Sequence, residues 1–241
     1  MKLAVCLVFR GELLRNTQSY HHNNKNKELK EYDLSEESFI RQNNIMESII
    51  NHIIEPYQKN GFKVFVSGCI YECPEYIHNL MRYFPRNTIK QIELGKTNQA
   101  ELFYKSIEQA NKEHPNCIEY ISLRVDYIML KNIIIKELDS YLYVGFAWKN
   151  INNYPDVDVF FIISNDTINI FKDILYLLGL EKDNVETHSI TDSLKNKNIL
   201  CYPIWDNYEN ERTGISYNEY IKNITFHINR PFVNYMRNIK N

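Results

Sequence analysis

Tyr120-Ile121-Ser122-Leu123-Arg124-Val125-Asp126 is an apolar run that ends in a charged Arg-x-Asp. A short run of this kind, rich in β-branched and aromatic residues, predicts a buried strand, with the charges placed where it leaves the sheet. Ligands of open α/β sheets bind beyond the carboxyl ends of the strands, so polar residues there are candidate site residues. Leu102 to Ala110 predicts a helix leading into the strand, and a second apolar run, Val157 to Ile163, follows it.

Outward from this stretch the chain alternates. Leu3 to Phe9 predicts a strand, and a polar loop from Arg10 to Lys30 carries His21-His22. Asp33 with Glu36 has capping-box spacing and predicts the start of a helix. Met46, Ile49, Ile50, Ile53, Ile54 and Tyr57 recur at intervals of three and four, which gives that helix one buried face, and Pro56 with Gly61 predicts its end. A strand over Phe62 to Ile70, a helix over Pro74 to Tyr83, an extended piece over Ile89 to Leu94 and a helix over Gln99 to Lys112 complete a β-α-β-α-β order. Such alternation implies a mainly parallel sheet with right-handed crossovers and helices on its faces. Beyond it the order loosens: Tyr141 to Trp148, Val157 to Ile163, a helix over Asp166 to Leu178 closed by Gly179, then Ile199 to Ile204 and Ile224 to Ile228.

With 241 residues, 44% of them hydrophobic, the chain is long enough for a large core and fits one domain better than two. No repeat or Ser/Pro-rich linker divides it. Lys and Arg are scattered and the net charge is -2, so there is no electrostatic footprint for nucleic acid or an anionic membrane. Five cysteines at irregular spacings read as buried, reduced thiols of a cytoplasmic protein, and Cys69-x-x-x-Cys73 lacks the second pair that a zinc finger needs. Met1 to Phe9 reads as a first strand and not as a signal peptide. No apolar stretch reaches the roughly 18 residues of a membrane span.

Lys2-Leu3-Ala4-Val5-Cys6-Leu7-Val8-Phe9-Arg10-Gly11, the helix ending near Pro56, Lys63-Val64-Phe65-Val66-Ser67, the polar helix from Gln99 to Ser106 and Ser122-Leu123-Arg124-Val125-Asp126 together resemble the GT-A type glycosyltransferases. The resemblance is to a loosely related group from bacteria and large DNA viruses and extends to about Leu180, with Asp156-Val157-Asp158 before the later strand. It implies an α/β, Rossmann-like fold in one domain with a central, mainly parallel mixed sheet flanked by helices. It further implies a nucleotide-diphosphate-sugar donor bound by residues 1–130 and a glycan or other hydroxyl acceptor bound by residues 131–241. Mn²⁺ or Mg²⁺ bridging the diphosphate is the implied cofactor, with Asp126 as first ligand and His227 or His188 as a late one.

Other residues join the candidate site by type and position. Arg10 and Gly11 follow the first strand, where glycine admits a close backbone approach and arginine pairs with phosphate. Ser67 and Gly68 are expected at the end of the second strand, beside a nucleoside, and Lys105 within reach of a phosphate. Many GT-A enzymes carry Asp-x-Asp where this chain has Arg124-x-Asp126, so Arg124 either contacts the donor directly or pairs with Asp126 to hold the strand end. Asp156 and Asp158 have the literal Asp-x-Asp spacing, and on a strand positions i and i+2 face one side. Asp158 is also a candidate base for the acceptor hydroxyl. Trp148, Trp205 and Tyr202 are candidates for stacking on a sugar. On this reading the nearly isosteric Asp126→Asn removes activity and leaves the fold intact. A non-catalytic nucleotide or sugar binding protein and a nucleotidyltransferase remain the alternatives.

Overall fold

The apolar runs become strands and the amphipathic stretches helices in the computed structural model, which describes residues 3–14, 32–85, 88–93, 97–129, 132–133, 135, 141–146, 160–180, 190–203 and 226–228. In chain order these are β1 (Ala4–Gly11), α1 (Glu36–Ile49), α2 (Glu55–Lys59), β2 (Lys63–Tyr71), α3 (Pro74–Tyr83), β3 (Thr88–Ile92), α4 (Gln99–Glu113), β4 (Glu119–Arg124) and β5 (Tyr127–Met129). There follow β6 (Tyr143–Phe146), β7 (Phe160–Ser164), α5 (Ile168–Leu180), α6 (Ile190–Lys195), β8 (Leu200–Pro203) and β9 (Phe226–Ile228).

Seven strands form one sheet in the order β3-β2-β1-β4-β7-β6-β8, and β5 pairs with β9 in a second, small sheet. β3, β2, β1 and β4 are mutually parallel. β7 is antiparallel to both β4 and β6, while β6 and β8 are parallel, so β7 runs against the rest. The fold is α/β with a mixed, mostly parallel sheet flanked by helices, as expected from the sequence.

Alternation along the strands divides the core in two. Val5, Leu7 and Phe9 face Ile45, Met46, Ile49 and Ile53 of the α1 segment. Cys6 and Val8 face Phe103, Ile107 and Ala110 of α4 and Phe171, Ile174 and Leu175 of α5. Under α4, the rings of Phe103, Phe161 and Phe171 meet pairwise at centroid distances of 5.4 to 5.7 Å. Burial of the Cys69, Cys73 and Cys117 thiols pushes each of them up to about 11, which leaves them protonated and inert at neutral pH.

Three helix boundaries differ from the sequence reading. Ser35, not Asp33, caps α1, its hydroxyl accepting Ser38 N–H at 3.2 Å. Asp33 instead accepts Ser35 N–H and pairs with Arg41 at 3.1 Å. Pro56 does not end the helix: a π turn over Ile50–Ile54 joins α1 to α2, which ends at Lys59 before Gly61. Pro56 has no N–H to give the His52 carbonyl four residues earlier. That carbonyl accepts Ile133 N–H at 2.9 Å, so the missing helical bond docks the segment after β5. Gly179 lies inside α5, which runs on to Leu180.

Gly68 pairs with Phe9, and a Cβ there would lie 2.2 Å from the Phe9 carbonyl oxygen at a φ of +133°. Gly61, at φ +87°, has nothing within 4 Å of such a Cβ. Gly68→Ala should therefore lose at least about 3 kcal/mol in urea unfolding, from strain and overpacking together. Gly61→Ala, with backbone strain alone, should lose about 1 kcal/mol.

At the opposite end of β4, Glu119 is buried and accepts from the hydroxyls of Tyr57, at 2.9 Å, and Tyr143. Burial raises its pKa above the ordinary 4.5, against the opposing effect of the two tyrosines. A folded-state pKa above the unfolded one means that the folded chain holds the extra proton. The contribution of Glu119 to stability is then complete below the ordinary value and lost as pH rises through the folded one. Glu119→Gln should gain stability relative to the wild type between pH 4 and 7, as read from the difference in Tm; a constant difference would contradict the assignment.

Candidate active site

Strand order reverses at β1. The chain leaves it toward β2 and β3 on one side and returns as β4 on the other, which makes the carboxyl ends of β1 and β4 a topological switch point. Arg10 and Arg124 stand there at the same register. Paired residues of neighbouring strands point to one face, here the face covered by α4.

Arg10 is 2% exposed, with its guanidinium carbon 3.9 Å from the centre of the Phe103 ring. An aromatic face attracts a desolvated cation by about 2 kcal/mol. Arg124 donates from Nε to Asp126 Oδ1 at 3.1 Å and from Nη2 to Oδ2 at 2.9 Å, and its guanidinium lies 5.2 Å from the centre of the Tyr127 ring. Gly11 has φ +102°, and a Cβ there would come within 3.9 Å of Val125. The two strand ends are joined by Val125 N–H, which donates to Arg10 O at 3.0 Å.

Gln42 of α1, unmarked in the sequence, reaches both exits: Leu14 N–H donates to its Oε1 at 3.1 Å, and its Nε2 donates to Val125 O at 2.8 Å. Its partners are 28 and 83 residues away along the chain, so no local pattern announces it. The one available signal is a glutamine four residues before Met46 on a buried helix face whose other residues are apolar or serine.

Other candidates lie elsewhere. Ser67 and Gly68 are not at the end of β2, which runs on to Tyr71. Ser67 is buried and donates to Glu113 Oε2 at 2.9 Å, and Gly68 serves the close approach to Phe9. Lys105 pairs with Glu101 at 2.8 Å with both side chains 40% exposed, which makes it a solvated pair on the helix surface. His227 stands in β9, with its backbone opposite Ile128. Tyr202 falls in β8. Asp156, Asp158, His21, His22, His188, Trp148 and Trp205 lie outside the described residues.

The divalent cation implied by the resemblance does not fit the described residues. Both oxygens of Asp126 receive an N–H from Arg124, and among the described residues no three His, Cys, Asp or Glu side chains gather to hold a metal. Among the described residues Asp126 is the partner of Arg124, which is one of the two readings open for that pair.

No protein-family model matches the sequence, and no curated protein is significantly similar to it. Several solved structures of glycosyltransferases are similar to this chain, each at low identity. One is glycosyltransferase GlyE of Streptococcus pneumoniae, at 17% identity and TM-score 0.47, over 83% of this chain and 44% of that one. This chain thus spans less than half the length of the pneumococcal protein. Another takes part in glycosylation of the major capsid of PBCV-1, at 14% identity and TM-score 0.49, over 96% of both chains. A third is a mutant Drosophila β1,4-galactosyltransferase 7 solved with manganese, UDP-Gal and xylobiose, at 8% identity and TM-score 0.49, over 98% of this chain and 74% of that one. Cytidylyltransferases also occur among the similar structures. The chemistry of this chain rests on its own residues.

Asp126 is 4% exposed, so removing its charge leaves the Arg124 guanidinium without its bidentate partner in a nearly dry setting. Asp126→Asn should cost about 3 kcal/mol in urea unfolding, contrary to the silent effect expected for an isostere. Unchanged stability would mean that the pair does not hold the strand end.

Proposed function

We propose that the chain is a glycosyltransferase that takes a nucleotide-diphosphate-sugar donor in the crevice beyond β1 and β4 and passes the sugar to an acceptor hydroxyl. The observation that carries this reading is the pair of arginines, Arg10 and Arg124, at one register on the two strands that flank the switch point. Guanidinium forks match phosphate oxygens, and a low-dielectric setting strengthens their attraction. Gly11 provides a backbone conformation without side-chain bulk at the same edge.

In the transfer, the acceptor oxygen bonds to the anomeric carbon as the bond to the diphosphate breaks, and negative charge develops on the leaving group. Fixed cations aimed at that charge lower the barrier without reorganising. The acceptor proton goes to a base. Asp158 and Asp156 are the proposed groups, since the chain enters β7 at Phe160, which pairs with Leu123 at the carboxyl edge of β4. The later half of the chain is proposed to bind the acceptor. A second reading, a nucleotide-binding protein without turnover, is favoured by one observation: the Asp126 carboxylate is held by Arg124.

A thermal-shift panel of UDP, GDP, CMP and dTDP with their sugar conjugates, each with EDTA or Mn²⁺, tests the proposal. One nucleotide class should raise Tm by several degrees in EDTA, since a ligand at 100 times its Kd adds about 2.7 kcal/mol. A shift seen only with Mn²⁺ would assign the diphosphate to a cation held by Asp126 in place of Arg124, or by carboxylates outside the described residues. No shift under any condition would overturn the proposal, and binding without sugar release or transfer would select the second reading.

A further inference from the structure

We propose that Gln42 is a positioning residue for the switch point: its single amide group fixes the chain leaving β1 against the turn leaving β4, and so sets the spacing of Arg10, Arg124 and Asp126. The inference rests on the nucleotide-binding reading above. Gln42 is 4% exposed, and its partners fix its orientation, because the Leu14 N–H can only donate and the Val125 C=O can only accept. Turning the amide over would break both bonds.

Leu14 has a φ of +44°, a left-handed conformation that a branched, bulky side chain rarely adopts. It is held there from three sides. Its side chain is buried, its N–H goes to Gln42, and its carbonyl accepts Asp33 N–H at 2.9 Å. Asp33 is in turn paired at 3.1 Å with Arg41, the neighbour of Gln42 on α1. Across the site, Val125 gives its N–H to Arg10 and its carbonyl to Gln42, so the turn carrying Asp126 is tied to β1 and to α1 by one residue.

The core itself does not need an amide at this place. Ile45, Met46 and Ile49 fill the same helix face with apolar side chains. A buried amide is tolerated when all its bonds are made, and what it adds over an apolar residue is a defined position.

The test compares wild type, Gln42→Leu and Ser48→Ala. Ser48 supplies another buried tie from α1, accepting Met129 N–H at 2.9 Å at the end of β5, with no bond to the residues leaving β1 or β4. Both variants should lower Tm. Only Gln42→Leu should weaken binding of the nucleoside diphosphate identified in the panel, by at least about tenfold in calorimetry. It alone should also speed exchange of the Arg124 Nε proton in NMR by at least about tenfold. Unchanged affinity in Gln42→Leu, or the same loss in both variants, would overturn the proposal while leaving the function standing. If wild type binds no nucleotide, the function falls and the exchange comparison alone decides on Gln42: faster exchange only in Gln42→Leu supports it, and equal exchange overturns it. Should Gln42→Leu not fold, Gln42→Glu takes its place, since it keeps an acceptor for Leu14 and sets a carboxylate against Val125 O.

Discussion

The parallel pairing of β1 between β2 and β4 is the constraint on which everything else depends. Val5 through Phe9 are completely buried on both faces, so β1 has no freedom to tilt, slide or turn over. Its two parallel neighbours must therefore end at the same edge. A register in which Arg10 pairs with Arg124 follows, and with it two arginines whose backbones are neighbours at one edge. They are tolerated through the Phe103 ring under one and the Asp126 carboxylate on the other.

That arrangement bears on which charged group the edge favours. Two unit charges 4 Å apart interact by about 4 kcal/mol at an effective dielectric near 20. A divalent cation placed on Asp126 would meet Arg124 at about that range with twice the charge, so it would have to displace the guanidinium first. A diphosphate meets the opposite sign from both arginines. The chemistry of the donor set thus favours an anion over a cation at the described part of the edge, and the third position of the Arg-x-Asp serves the first.

Much of the fold was legible because its signals are local. Apolar runs over Leu3 to Phe9 and Ile118 to Arg124, and the three-and-four spacing from Met46 to Tyr57, each express burial of a single element. The boundaries that differ involve competition between neighbours. Ser35 lies two residues nearer the helix than Asp33, which Arg41 claims, and Pro56 is accommodated because a backbone N–H from residue 133 takes the carbonyl it leaves. At the candidate site, position was legible and partnership was not. Arg10, Gly11, Arg124 and Asp126 lie at the strand ends as expected, whereas Ser67 sits inside β2, since its strand continues past the positive-φ Gly68 to Tyr71. The Arg124 to Asp126 pair was one of two open readings, and the Gln42 bridge depends on contacts formed only when distant segments meet.

Of the five positive-φ residues among those described, three lie toward the carboxyl edge of the sheet, while Gly61 and Asn198 precede β2 and β8. Gly11 ends β1, Leu14 follows it, and Gly68 lies beside Phe9 near the same edge. Of the two non-glycine residues with positive φ among those described, Asn198 is a type that accepts the conformation readily, and Leu14 is not. Strain persists only where the surroundings over-determine it. Here the surroundings are the buried Leu14 side chain, the Gln42 amide and the Asp33 N–H. The strained Leu14 stands beside the switch point, where the proposed function places the donor, and the buried core beneath it offsets the strain.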